Sequence, residues 1–193
     1  GNLPKACCRT PREVDEADDV HSCFFSKGVF RDALNIQRSD FMNNSEQFIV
    51  LNETHLPQMA ELYKNSFGRE PWNDDWSDKN QLTQYIKEIS CSFNSLNYGL
   101  FLDEKLIAVS IGMIRHWWEG TNYNIEEFCV SPEFQGNGIG SRFMGMIEAD
   151  IKNRGLCGIF LQTDNDKPAY NFYRKNGFSD LSSHVSLYKR VKE

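Results

Sequence analysis

Long apolar runs and a targeting leader are both missing from this sequence of 193 residues. The longest uncharged apolar stretch, Leu106 to Ile114, is far shorter than the roughly 20 residues that a membrane-spanning helix requires. No charged segment followed by an apolar stretch opens the chain, so a secretory leader is not indicated. These absences predict a cytoplasmic protein that does not enter a membrane.

An excess of basic residues is also missing. Lys and Arg number 21 against 27 Asp and Glu, which gives a formal net charge of −6. Phosphate binding along nucleic acids needs clustered Lys and Arg, so nucleic acid is not an expected partner. A small cationic substrate suits an acidic cleft, although mild acidity most often serves solubility alone.

The cysteines show neither metal-binding nor disulfide spacing. No C-x-x-C pair and no His-rich cluster is present, so no metal site is predicted. Irregular spacing of the last three, without a leader, favours free thiols over a disulfide framework. The six positions are Cys7, Cys8, Cys23, Cys91, Cys129 and Cys157.

The first 41 residues lack the sustained periodicity of the rest of the chain. Met42, followed by two asparagines and a serine, resembles a natural translation start. We therefore expect residues 1–41 to be an extension of unknown role and residues 42–193 to form the folded domain. The alternatives are a fusion remnant, read-through sequence, or a short helical arm over residues 24–36 that packs on the domain or on a partner.

Regular patterns begin at Phe48 and alternate between strand and helix. Alternating or β-rich runs predict strands over 48–51, 98–102, 106–115, 123–130, 157–161 and 185–188. Helical spacing predicts helices over 56–67 with Thr54 as N-cap, from Ser77 or Asp78 to residue 89, and over 138–154 and 168–175. The order β-α-α-β-β-β-α-β-α-β predicts an α/β sandwich, a mixed sheet covered by helices.

A glycine-rich loop follows the strand that ends at Val130. It contains Gly136, Gly138 and Gly140 and leads directly into a long helix. Glycines let backbone N–H groups converge, and a helix N-terminus adds about half a positive charge, so the loop is suited to a pyrophosphate. The spacing is neither a Walker A loop nor a Rossmann G-x-G-x-x-G, and glycines also serve in tight turns that bind nothing.

Two segments resemble the GNAT superfamily of N-acetyltransferases. Val130-x-Pro132 followed by Gln135-x-x-Gly138-x-Gly140 is similar to the family's acyl-CoA loop, Q/R-x-x-G-x-G/A. Residues 169–178, AYNFYRKNGF, are similar to the family's A-x-x-F-Y-x-K-x-G-F segment. The resemblance covers residues 124–178 and implies a GNAT-like fold with a mixed, mostly antiparallel sheet, splayed strands 4 and 5, and flanking helices.

The resemblance also implies acetyl-CoA as co-substrate. In the family, the fourth strand contacts the pantetheine arm and the loop amides hold the pyrophosphate. Asp166 departs from the pattern, because an Asn often stands there, and the adjacent Asn165 is its expected substitute. The implied cofactor-binding residues are Phe128, Cys129, Val130, Gln135, Gly136, Asn137, Gly138, Ile139, Gly140, Ser141 and Asn165.

Catalysis by such an enzyme needs a neutral amine, so a base must remove a proton from the acceptor. Glu126 and Glu127 lie beside the expected thioester and, by the period of two, point to opposite faces. We favour Glu126 as the base, with Glu127 as second candidate or substrate anchor. Tyr173 matches the family tyrosine that protonates the departing thiolate, although a helical tyrosine is otherwise more often a core residue.

The acceptor is expected to contact the loop between the first two helices and the turn before strand four. Tryptophan faces and carboxylates there suit a polycation, although both tryptophans could simply fill the core. The Glu70-Pro71-Trp72-Asn73 segment is similar to aminoglycoside 6′-N-acetyltransferases, which implies an aminoglycoside 6′-amine as acceptor and antibiotic resistance as function. The candidate substrate-binding residues are Trp72, Asp74, Asp75, His116 and Trp118.

Two alternatives stay open from the sequence. One is an acetyltransferase of the same family that acts on a polyamine, another small amine or a protein N-terminus. The other is a CoA-binding sensor without turnover, which would have no need of both a base and an acid. A homodimer is a further expectation, by analogy with the family alone.

Overall fold

The computed structural model describes residues 45–191, and the predicted extension over residues 1–41 lies outside them. One sheet of five strands runs in sequence order, and only its last pair is parallel. The mixed, mostly antiparallel sheet expected from the sequence is therefore confirmed. The strands are β1 (Glu46–Leu51), β2 (Asn97–Leu102), β3 (Lys105–Trp117), β4 (Gly120–Val130) and β5 (Gly158–Phe160).

Four α-helices within residues 45–191 cover the two faces of this sheet. They are α1 (Leu56–Phe67), α2 (Lys79–Ser90), α3 (Ile139–Asn153) and α4 (Pro168–Lys175). Apolar side chains of α1 and α2 pack on one face with Val109 and Ile111, and those of α3 and α4 pack on the other with Tyr98 and Ile107. Within residues 45–191, none of the helices has the length and apolarity to cross a bilayer.

The starts of α1 and α2 depend on different caps. A 3-10 turn (Glu53–His55) precedes α1, and the Asn52 side chain accepts from the Thr54 amide at 3.0 Å. The prediction of Thr54 as N-cap is therefore wrong, because Asn52 begins the turn and no side chain caps α1 itself. Asp78, one of the two predicted caps of α2, accepts from the amides of Asn80 and Gln81 at 2.8 and 3.1 Å.

The predicted strand over residues 185–188 is wrong. Val185, Leu187 and Tyr188 are 79%, 91% and 87% exposed, and the segment joins no strand of the sheet among residues 45–191. Alternation supplies strand propensity, but a strand also needs a backbone ladder. The segment instead contacts the chain just after β5 through side chains, with Gln162 donating to Ser186 at 2.9 Å.

Strands β4 and β5 part after a short pairing. Asn122, Tyr123 and Asn124 pair with residues 158–160, whereas β4 continues to Val130. Beyond Asn124, the β5-facing edge of β4 has no strand partner in the described part of the chain. The splay between strands 4 and 5 is confirmed, and it opens a gap through the sheet.

Candidate active site

A β-bulge at Glu126 decides which way the two candidate carboxylates point. Ile111 pairs with Glu127 and the next residue, Gly112, pairs with Ile125, so Glu126 is an extra residue of β4. Ile125 packs on the α3 side of the sheet, whereas Cys129 packs on the α1 and α2 side. Because a bulge resets the alternation of a strand, Glu127 faces the α1 and α2 layer, and Glu126 is exposed.

Two tyrosines from two helices hold Glu127. Tyr63 of α1 donates a hydrogen bond to Oε1 of Glu127 at 3.2 Å, and Tyr85 of α2 donates a short one to the same oxygen. Trp76 packs against both rings, with centroids 5.5 Å from Tyr63 and 5.3 Å from Tyr85. The aromatic packing fixes both hydroxyls on Oε1, and the other carboxylate oxygen, Oε2, accepts no hydrogen bond from a tyrosine of residues 45–191.

The protonation of this cluster follows from its burial. Burial raises the pKa of Glu127 above its ordinary value, while the hydrogen bonds from Tyr85 and Tyr63 lower it in part. Burial, together with the Glu127 carboxylate, also raises the pKa of both tyrosines. The phenols therefore remain protonated donors, and Glu127 is a carboxylate with a strengthened affinity for a proton.

A cavity of about 270 Å³ opens at the gap between β4 and β5. Its lining includes four carboxylates and, among the described residues, no Lys or Arg. Tyr63 and Phe67 line it from one face of the sheet, and Ala169 and Tyr173 from the other, so it passes through the gap. The carboxylates are Asp74, Glu126, Glu127 and Asp164.

Tyr173 lies in α4 on the opposite side of the gap from α1. Its ring is 9% exposed and packs at 6.3 Å from Phe128, 5.2 Å from Phe172 and 5.4 Å from Phe178. Burial, with the negative charge of Glu127, raises the pKa of Tyr173, so its hydroxyl stays protonated. The cavity therefore contains both a proton acceptor and a proton donor.

The glycine loop has the conformation that its sequence requires. Gly136 and Gly138 both have φ of +78°, a left-handed conformation that other residues adopt with strain, and the space beside them is open. The first bond at the helix start joins the Arg142 amide to the Gly138 carbonyl at 3.1 Å. The amides of residues 139–141 precede that bond at the N-terminus of α3, and they have no hydrogen-bond partner within residues 45–191.

Side-chain contacts anchor this loop to β4 and α4. Gln135 donates to the Val130 carbonyl at 2.9 Å, and Asn137 donates to the Gln135 carbonyl at 3.3 Å. A Cβ at Gly140 would lie 3.0 Å from the Phe172 ring, so glycine allows α3 and α4 to approach closely.

Cys129 is a buried strand residue. Burial raises the pKa of its thiol to about 12, so it is protonated at neutral pH. Cys91 also carries a free thiol. The thiolate that a nucleophilic cysteine needs is therefore absent at Cys129.

Several predicted site residues do not meet at this cavity. Asp75 accepts from the Ser77 amide at 3.0 Å ahead of α2. Asn165 lines an adjoining cavity of about 1240 Å³ beside β5, which shares Leu161 and Tyr173 with the cavity at the gap. His116 and Trp118 lie at the exposed β3–β4 turn, and His116 is five residues beyond Ile111, the partner of Glu127. The structure brings Trp72, Asp74, Glu126, Glu127, Phe128 and Tyr173 together at the smaller cavity.

Sequence reasoning missed Tyr63, Tyr85 and Asp164. The two tyrosines lie among the regularly spaced apolar residues of α1 and α2, a pattern that predicts the helices and assigns no role at a site. A buried tyrosine hydroxyl usually has a hydrogen-bond partner. Two tyrosines on helices that cover a strand with two glutamates could therefore have indicated a contact between these side chains. Asp164 lies in the irregular segment after β5, where no periodicity applies.

Comparisons with known proteins agree on one family of acetyltransferases. A model described as the acetyltransferase (GNAT) family matches residues 56–178. Thialysine N-epsilon-acetyltransferase of Bos taurus is 32% identical over 66 residues, which cover 34% of this chain and 39% of that protein. The tRNA(Met) cytidine acetyltransferase TmcA 2 of Saccharolobus solfataricus is 25% identical over 119 residues, 60% of this chain and 14% of that protein. The chain thus spans well under two-thirds of either relative.

Solved structures share the fold at low sequence identity. The aminoglycoside acetyltransferase meta-AAC0020 from an uncultured soil metagenomic sample, in complex with sisomicin, has a TM-score of 0.60 and 20% identity, with coverage of 76% and 97% of the two chains. AAC(6′)-Iy in complex with the bisubstrate analog CoA-S-monomethyl-acetylneamine has a TM-score of 0.59 and 17% identity, with coverage of 76% and 98%. Because the family model spans more than half of the sequence, this chain belongs to the acetyltransferase (GNAT) family.

Proposed function

We propose that this protein transfers an acetyl group from acetyl-CoA to a primary amine of a polycationic acceptor, the 6′-amine of an aminoglycoside. It would then act in the cytoplasm and inactivate the antibiotic by modification. The observation that carries the proposal is the cavity at the β4–β5 gap, whose lining has four carboxylates and, among residues 45–191, no basic side chain. Such a cavity concentrates cations, and the ammonium groups of an aminoglycoside are suited to it.

The glycine loop suits the diphosphate of acetyl-CoA. Left-handed Gly136 and Gly138 leave open space beside the backbone, and the α3 N-terminus adds free amides and a positive dipole end. Backbone amides of residues 135–141 would hold the diphosphate. The β5-facing edge of β4 at residues 128–130, which pairs with no strand of the described chain, would hold the pantetheine arm. When bound, acetyl-CoA supplies the activated acyl group.

Proton transfer is assigned to the chain's own side chains. The sequence favoured Glu126 as base, but burial and two tyrosine donors favour Glu127, so we assign the base to Glu127. Exposed Glu126 then joins Asp74 and Asp164 in binding ammonium groups of the acceptor. Tyr173 holds the proton that the departing thiolate takes up, because its buried phenol remains protonated.

Turnover assays test the proposal directly. Acetyl-CoA consumption would be measured with sisomicin, spermidine and short peptides as acceptors, with product mass and the acetylated position as second readouts. We expect rapid acetylation of sisomicin at its 6′-amine. Failure to acetylate any aminoglycoside at high enzyme concentration would reject the assigned acceptor.

A small amine is the second candidate acceptor. The cavity of about 270 Å³ is compact, and thialysine N-epsilon-acetyltransferase of Bos taurus is 32% identical over the matched 66 residues. Higher kcat/KM for spermidine or thialysine than for sisomicin would favour this candidate. A peptide acceptor would instead need a groove across the strands.

A CoA-binding sensor without turnover is distinguished by the same assay. Wild-type protein that consumes acetyl-CoA no faster than the double variant Glu126→Gln, Glu127→Gln would favour the sensor. The expected homodimer stays a prediction, which size-exclusion chromatography with light scattering would check.

A further inference from the structure

Lys167 contacts Trp72, one of the residues that line the acidic cavity. It is the N-cap residue of α4, and its Nζ donates to the Pro71 carbonyl at 3.3 Å. The same ammonium lies 5.9 Å from the centroid of the Trp72 ring, within the range of a cation–π contact. One side chain therefore joins the start of α4 to the α1–α2 loop.

The two segments that Lys167 joins are opposite walls of the cavity. Trp72 and Asp74 line it from the α1–α2 loop, and residues 161–164 line it from the segment after β5. Lys167 follows that segment directly, and its amide bonds to the Asp164 carbonyl at 3.3 Å in a tight turn. The ammonium therefore contacts Trp72, which belongs to a lining with four carboxylates and, among the described residues, no basic side chain.

We propose that Lys167 is a specificity-determining residue, an internal cation that occupies the Trp72 face until an ammonium group of the acceptor displaces it. This inference rests on the proposed function, because it needs a cationic acceptor in the same cavity. Lys167 then acts as a competitor. An acceptor with several ammonium groups can replace the contacts of Lys167 with both Trp72 and Pro71. A monoamine cannot, because its single amine lies at the acetyl group.

Binding and kinetics of Lys167→Met and Lys167→Arg test the competition. The Met variant keeps the aliphatic stem without the charge, and the Arg variant keeps the charge. We expect Lys167→Met to lower the Kd and KM of sisomicin by about two- to fivefold with kcat unchanged, as loss of a competing contact of ~0.5–1 kcal/mol implies. Lys167→Arg should resemble wild type, and the KM of a monoamine such as tyramine should change less than that of sisomicin.

Hydrogen exchange of the protein without ligands provides a readout that does not depend on turnover. Amides of residues 68–76 should exchange faster in Lys167→Met than in wild type, because the link to Pro71 and Trp72 is lost. Lys175→Met, the same change at the exposed end of α4, is the matched control and should leave exchange unchanged.

The outcomes separate this inference from the proposed function. Wild type that acetylates no amine rejects the proposed function, while calorimetric binding of sisomicin and hydrogen exchange still decide the role of Lys167. An unchanged or higher Kd for sisomicin in Lys167→Met overturns the competition. Unchanged exchange of residues 68–76 overturns the link itself.

Discussion

Glu127 is under two opposing influences that set its strength as a base. Burial raises the pKa of the carboxyl, and hydrogen bonds from Tyr85 and Tyr63 lower it. A carboxylate at an ordinary pKa would be a weak base toward an ammonium group, whereas one with a raised pKa is better matched to neutral pH. The two tyrosine hydroxyls oppose this rise, because each donates a hydrogen bond that favours the ionised carboxylate.

Replacement of each glutamate tests the assignment of the base. Glu127→Gln keeps the size of the side chain and removes its basicity, so kcat should fall by about 100- to 10,000-fold. Glu126→Gln should mainly raise the KM of a polycationic acceptor, because Glu126 is exposed at the cavity. Steady-state kinetics with both variants provides the measurement, and the opposite pattern would return the base to Glu126.

Loss of the Tyr85 hydroxyl should shift the pH dependence in a defined direction. That hydroxyl lowers the pKa of Glu127, so Tyr85→Phe should raise it further. Because the base acts when ionised, the acidic limb of the kcat/KM profile should then move to higher pH.

A second tyrosine–carboxylate pair provides the control for Tyr85→Phe. Tyr98 donates to Asp150 at 2.7 Å, and neither residue lines the cavity. Tyr98→Phe should leave the pH profile in place, even if it lowers the stability of the fold. An unshifted profile in Tyr85→Phe would mean that the hydroxyl only fills space beside Glu127.

The bulge of β4 is a feature that the sequence pattern did not predict, although the pattern predicted the strand itself. Periodicity predicted β4, α1 and α2 within a few residues, since their apolar residues repeat at regular spacing. The same period of two gave no indication that Glu126 is an extra residue, because a bulge depends on the partner strand. The contact of Glu127 with Tyr63 and Tyr85 follows from that bulge, so it required the structure.

Gly138, at the start of α3, tests the assignment of the cofactor loop, because its left-handed backbone lies beside the amides proposed to bind the diphosphate. Gly138→Asp would place a carboxylate at a left-handed position, where it competes with the diphosphate for the free amides. We expect CoA affinity to fall by about tenfold or more, because a charge at a helix N-terminus interacts by up to ~2 kcal/mol. Isothermal titration calorimetry provides the measurement.

Gly145 offers the same substitution on the same helix as a control. It lies in the middle of α3, is exposed, and has open space for a Cβ. Gly145→Asp should therefore leave CoA affinity close to that of wild type. Equal affinities of the two variants would refute the assignment of the loop.

The whole molecule combines two short sequence motifs of the family with a sheet whose last strand, β5, pairs with β4 over only three residues. The two motifs at residues 130–140 and 169–178 sufficed to predict the family, since together they fix a strand, a loop and two helices. The strand predicted over residues 185–188 does not form, because alternation in the sequence supplies no partner strand, and the last strand of the described sheet, β5, has three residues. The local sequence pattern determines whether a segment favours a strand, and a free edge of a neighbouring strand determines whether that segment joins the sheet.

Both the whole chain and the cavity are negatively charged. Because both attract a cationic acceptor, we expect acceptor binding to weaken as salt is added. The chain has a formal net charge of −6, and four carboxylates line the cavity. The Debye length falls from ~10 Å at 0.1 M salt to ~3 Å at 1 M, so salt should raise the KM of sisomicin while kcat stays constant. A KM of sisomicin that is independent of salt would show that shape, rather than the carboxylates, selects the acceptor.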